Sequence, residues 1–252
     1  MQPVDDNEVQ WLRERIAAVR GRIDAACRQA GRDPAEVRLL PVSKTVGEAR
    51  LRAAHAAGCS WLGENKVQEA LGKWQAMSDL PGLRWSIIGH LQTNKAREVA
   101  RFAAEFQALD SLRVAEALDR RLQAEGRALD VFVQVNTSGE ASKYGLEPAG
   151  AVAFVRGLSA FQSLRIKGLM TLALFSDDHA AVRACFVRLR ELRDEIAMFS
   201  DARELSMGMS GDFELAIAEG ATVVRVGTAI FGARPTRDSD YWPGESMGPG
   251  HA

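Results

Sequence analysis

Cysteine is scarce and scattered: Cys27, Cys59 and Cys185 are the three in 252 residues. An odd count without C-x-x-C spacing argues against a disulfide framework, a zinc knuckle or a dithiol redox pair, and the three read as small buried hydrophobes. Histidine is equally thin. His55, His90, His179 and His251 lie far apart with no H-E-x-x-H pattern, so no metal site is expected. Charge of one sign is missing too: 32 Lys and Arg against 33 Asp and Glu leave a net charge of -1. That balance offers no field to draw nucleic acid or an anionic membrane, and a scaffold or nucleic-acid module finds no support in it. No segment reaches the roughly 18 apolar residues that a membrane span needs. The first residues, MQPVDDNEVQWLRERI, carry acids and an amphipathic pattern where a signal peptide has a basic start and an apolar run. A cytoplasmic protein is the expectation.

What is present is material for a large core, with 46% hydrophobic and 26% charged residues. The length suits one α/β barrel, a fold of about 250 residues. Leu12, Ile16, Val19 and Ile23 recur at helical spacing and predict an extra N-terminal helix over Val9–Ala30, closed by Gly31. Beyond it, short Val/Ile/Leu-rich runs alternate with longer helical patterns. Strands are expected at 37–43, 60–63, 84–89, 106–110, 130–136, 164–170, 204–208 and 222–227. Runs such as Val131–Val135, apolar on nearly every residue, suit parallel strands covered on both faces. Eight βα units favour a single (β/α)8 TIM barrel over an open sheet, with the barrel spanning residues 9–234. The remainder, 235–252, is rich in Pro, Gly and Ser and reads as a flexible tail, from which Tyr241 or Trp242 can dock back.

Such barrels place their sites at the C-terminal ends of the strands. Here those ends are polar: Ser43-Lys44-Thr45, Glu64-Asn65-Lys66, His90, Asn136 to Gly145, Thr171, Ser206 to Ser210, and Arg225 to Thr228. A lysine held at a barrel mouth against apolar walls can become nucleophilic enough to form an imine with an aldehyde, which singles out Lys44. Loops after strands 7 and 8 frequently bind phosphate through backbone N–H groups, and the glycines and hydroxyls of Ser206–Gly211 and Gly227-Thr228 suit that use. A phosphate site opposite a strand-end lysine implies a phosphorylated carbonyl ligand.

The segments LLPVSKT (39–45), GENKVQEA (63–70), WSIIGHLQTNK (85–95), SKYGLEP (142–148), GLMTL (168–172), SMGMSGDFELAIAEGAT (206–222) and VRVGTAIFGAR (224–234) closely resemble the pyridoxal phosphate homeostasis protein family. That family has the barrel also found as the N-terminal domain of alanine racemase. The resemblance implies that Lys44 carries pyridoxal 5'-phosphate (PLP) as a covalent aldimine and that Asn65 lies beside the cofactor. It further implies that Ser206, Gly227 and Thr228 hold the phosphate, with Gly208 and Met209 in the same cofactor-binding set, and that Arg225 faces the pyridine nitrogen.

An arginine partner leaves that nitrogen neutral and the electron sink weak. Two-base racemisation also needs a second acid/base, which the racemase takes from a C-terminal β-domain. Residues 235–252 are too few to form one, and Tyr144 and Tyr241 are the two phenols in the chain. The expectation is therefore a PLP carrier in vitamin B6 homeostasis, supplying PLP-dependent apoenzymes, with an amino-acid racemase of low activity as the alternative. A monomer is expected. Lys66, Lys95 and Lys143 would gather at the mouth, and Lys143 is a candidate for accepting the aldehyde transiently during release.

Overall fold

Each short apolar run becomes a strand and each longer periodic stretch a helix in the computed structural model, which describes residues 4–232. The chain runs α1 (Asp6–Gln29), β1 (Arg38–Pro41), α2 (Glu48–Ala56), β2 (Trp61–Glu64), α3 (Val67–Ala76), β3 (Arg84–Ile87), α4 (Ala96–Phe102) and β4 (Glu105–Leu109). It continues α5 (Leu112–Ala124), β5 (Leu129–Gln134), α6 (Pro148–Gly157), β6 (Leu164–Met170), α7 (His179–Ile196), β7 (Glu204–Ser206), α8 (Phe213–Ala218), β8 (Val223–Val226) and α9 (Thr228–Phe231). The expected tail, with Tyr241 and Trp242, lies outside the described residues, as do the last two residues of the expected barrel span.

All strands are parallel, in the order β1-β8-β7-β6-β5-β4-β3-β2. β1 pairs with β8 from Arg38↔Val223 to Pro41↔Val226. The ring closes where Val42 bridges Gly63 and the Ser43 N–H donates to the Gly63 carbonyl at 2.9 Å. The fold is thus a (β/α)8 TIM barrel, with α1 as the extra helix.

Helix α1 buries one face, Val9, Leu12, Ile16, Val19, Ile23, Ala26 and Cys27, against α2, α8 and α9. Asp5 caps its start by accepting from the Asn7 N–H, and Gly31 leaves it at a φ of 68°, a left-handed turn natural to glycine. From α1 the Arg15 Nε donates to the Ile230 carbonyl at 2.8 Å, and from α2 the Arg50 Nη1 donates to the Phe231 carbonyl at 3.1 Å. Both guanidiniums lie over the Trp11 ring. The C-terminal carbonyls of α9 are therefore satisfied by cations, and the short helix at the barrel mouth is tied to its neighbours.

The barrel lumen is polar as well as packed. Arg38 on β1 reaches Glu105 on β4 at 2.6 Å, and Ser206 on β7 reaches Gln107 on β4 at 2.6 Å. Neither pair is on neighbouring strands, so these side chains meet across the interior. Cys27, Cys59 and Cys185 are free and buried, and burial pushes the Cys59 thiol up to about 11, which leaves it inert at neutral pH. Among the described residues no helix is long and apolar enough to cross a membrane.

Candidate functional site

Lys44 lies two residues beyond Val42, whose bridge to Gly63 extends the line of β1, and is buried, at 7% exposure. A cavity of about 440 Å3 brings it together with Gly227 and Thr228 from the far end of the sequence, beside Val42 and the loop from Thr45 into α2. Small-molecule sites commonly measure 300–1,000 Å3 in about this range of volumes. The β1–β8 pairing accounts for the meeting: Pro41 opposes Val226, so the residues just beyond each strand share one rim.

Arg225 lies one layer below that rim, with 3% exposure. Its Nη1 donates to the Ser206 hydroxyl and its Nη2 to the Thr171 carbonyl, both at 2.8 Å. The Ser206 hydroxyl in turn donates to Gln107 Oε1, and Gln107 Nε2 donates to Glu105 Oε1 at 2.6 Å. Every donor in this chain points from the guanidinium towards the Glu105 carboxylate. Burial lowers the Arg225 pKa to about 10, opposed by the field of Asp212, so it remains charged at neutral pH.

The loop after β7 turns on Gly208, whose φ of 94° favours glycine. A Cβ there would lie 2.7 Å from the Ala216 Cβ and 2.8 Å from the Phe213 Cα, so the loop packs directly on α8. The Gly208 carbonyl accepts from the Arg225 N–H at 3.0 Å. Met209 is exposed, and its N–H donates to Asp212 Oδ1 at 2.5 Å. The loop then brings Ser210 to Thr228, with 3.4 Å between their hydroxyls. Ser206 is engaged with Arg225, while Ser210, from the same expected phosphate loop, stands beside Thr228.

Asn65 continues β2 at the mouth and is half-buried. Gly89 passes so close that a Cβ would fall 2.2 Å from the Asn65 carbonyl oxygen, which makes glycine a requirement of this rim. A Gly89→Ala protein is expected to lose about 1–3 kcal/mol in urea melts, and to bind any ligand at Asn65 more weakly because the rim must shift. Next to it His90 stacks on Tyr144, with centroids 4.0 Å apart and planes 9° apart, and its Nδ1 lies 3.3 Å from Asp110 Oδ2. Lys143 donates to Glu140 and, at 2.8 Å, to the Ala173 carbonyl; Lys95 lies 3.8 Å from Glu98. Two of the lysines expected at the mouth thus have carboxylate partners of their own.

Behind Lys44, on the helix side of the barrel wall, Glu64 is fully buried. Its Oε1 accepts from the Ser43 hydroxyl and from Lys73 Nζ, both at 2.6 Å. Desolvation raises its pKa from 4.5 to about 7, against the lowering effect of Lys73. A carboxyl raised in this way binds more protons folded than unfolded between those two values. Stability from this group is complete below pH 4.5 and is lost as pH rises to about 7. Urea melts at pH 5 and pH 8 should show the wild-type protein losing more stability with rising pH than Glu64→Gln, whose amide has no charge to desolvate. Among the described residues no three His, Cys, Asp or Glu side chains group as a metal site would require.

Residues 15–235 match the family described as "Alanine racemase, N-terminal domain". A relative from Pseudomonas aeruginosa, named pyridoxal phosphate homeostasis protein, is 47% identical over 223 residues, covering 88% of this chain and 96% of that one. The solved structure of PipY from Synechococcus elongatus with PLP bound superposes with a TM-score of 0.78 at 38% identity, covering 88% of this chain and 100% of that one. Alanine racemase from Streptomyces lavendulae superposes with a TM-score of 0.70 at 19% identity, covering 90% of this chain and 58% of that one, a likeness of fold alone.

Proposed function

From the chain's membership of the alanine racemase N-terminal domain family, alongside the pyridoxal phosphate homeostasis proteins, we propose that it binds PLP at the barrel mouth, with a Schiff base on Lys44. The observation that carries this reading is the single cavity shared by Lys44, Gly227 and Thr228. When bound, the PLP aldehyde supplies an electrophile that a lysine amine captures with loss of water. The donor set fits the rest of the cofactor. Gly227, Thr228 and the adjacent Ser210 offer backbone and hydroxyl donors for a phosphate, with Gly208 and Met209 shaping the same loop. Arg225 offers its Nε–H to the pyridine nitrogen, and Asn65 flanks the ring.

An arginine at the pyridine nitrogen donates a hydrogen bond without giving up its proton, so the ring stays a weak electron sink. The resulting function is to hold PLP and supply it to PLP-dependent apoenzymes, as a cytoplasmic monomer, and not to turn over amino acids strongly. An absorption titration with PLP tests it: the wild-type protein should develop a saturable imine band, and L-alanine should then show no inversion. Absence of the band at saturating PLP overturns the reading; rapid inversion would favour a racemase instead. The same titration checks the phosphate site. Thr228→Val and Ser210→Ala should each weaken PLP about tenfold with the melting temperature of the apo protein unchanged, since both hydroxyls stand at the rim.

A further inference from the structure

The backbone on either side of Lys44 is held by one largely buried cluster of polar side chains on α3 and β2. Thr45 is the one non-glycine residue with positive φ among the described residues, at 67°. A left-handed turn costs a β-branched residue about 1–3 kcal/mol unless its surroundings enforce it. Here the Thr45 N–H donates to Glu69 Oε1 at 2.6 Å, and that oxygen also accepts from Lys73 Nζ at 2.7 Å. Lys73 Nζ donates as well to the Ser43 carbonyl at 2.7 Å and to Glu64 Oε1 at 2.6 Å.

We propose that Glu69 and Lys73, one turn apart on α3, are positioning residues for Lys44: they clamp Ser43 and Thr45 on the helix side of the wall and so direct the intervening lysine into the cavity. The inference rests on the reading of Lys44 as the PLP lysine. Ser43 turns its hydroxyl to Glu64 at the end of β2 and its carbonyl to Lys73 on α3, while the next residue, Lys44, lines the cavity. The cluster is no solvated surface pair. Lys73 has a side-chain exposure of 12% and Glu64 of 0%, so its three acceptors fix the ammonium in one place. Imine formation requires the amine to reach a bound aldehyde in a narrow range of distance and angle, and small displacements of a reacting group slow it sharply.

The test uses full-length wild-type, Glu69→Met, Glu69→Gln and Lys73→Met proteins, with Lys44→Ala as the blank. Each is mixed with saturating PLP, and two quantities are read: total PLP bound by dialysis, and the rate of imine formation on the Lys44 peptide, sampled by borohydride trapping at timed intervals after mixing. Glu69→Met removes the acceptor for Thr45 and should slow trapping about tenfold or more while total PLP bound at saturation changes little. Glu69→Gln keeps an oxygen acceptor and should recover most of the wild-type rate, which a loss through general destabilisation would not do. Lys73→Met should follow Glu69→Met. Trapping at the wild-type rate in both methionine variants overturns the positioning role alone. Failure of the wild-type protein to trap PLP on Lys44 overturns the cofactor reading and this inference together.

Discussion

Lys44→Ala protein should remain folded, lose the imine band completely, and half-saturate with PLP at a concentration on the order of 100-fold higher. The band depends on a primary amine at the cavity wall, and no isosteric substitute supplies one. Binding itself should persist, because Gly227, Thr228 and Ser210, proposed above to hold the phosphate, and the Arg225 guanidinium stand on other strands and loops. Residual affinity with no imine is the signature that separates the covalent contribution from the rest. Equilibrium dialysis paired with the absorption spectrum measures both. A mutant that keeps the band would move the attachment to another lysine.

Arg225→Leu should act in two ways. With 3% exposure and both terminal nitrogens engaged, the guanidinium is part of the wall, and its removal leaves the Thr171 carbonyl and one acceptor position on Ser206 unpartnered. Unsatisfied buried groups cost about 1–3 kcal/mol each, so the melting temperature should fall by several degrees. PLP affinity should fall too, with the imine band shifted, because Arg225 is the proposed donor to the pyridine nitrogen. Ser206→Ala separates the two effects. It strands Gln107 Oε1 and loosens Arg225 without touching the rim, so it should lower the melting temperature while weakening PLP less than Thr228→Val does. If Ser206 contacts the phosphate directly, the order of those affinities reverses.

The βα rhythm was legible because parallel strands and amphipathic helices write their burial into residue type. The helix expected over Val9–Ala30 is found at Asp6–Gln29, and Gly31 leaves it as anticipated. Lys44 stands out in the sequence for a related reason: one charged residue ends an otherwise apolar run. What periodicity does not encode is which polar side chains meet across the lumen. Gln107 lies in a strand that reads as F-Q-A-L, yet it links Ser206 to Glu105 because β4 and β7 face each other in the closed ring. Glu69 and Lys73 have the spacing of an ordinary exposed helix pair, and only their packing against Ser43 and Thr45 makes them part of the Lys44 frame. Ser206 and Ser210 have the same chemistry four positions apart, and residue type alone does not show that one bonds Arg225 and the other lies beside Thr228 across the left-handed turn at Gly208.

The most direct measurement is borohydride reduction of the PLP-loaded wild-type protein, followed by peptide mapping of the adduct by mass spectrometry. One phosphopyridoxyl group per chain, on the peptide that carries Lys44, is the predicted result. An adduct centred on another lysine, such as Lys143, or no adduct at saturating PLP, would contradict it.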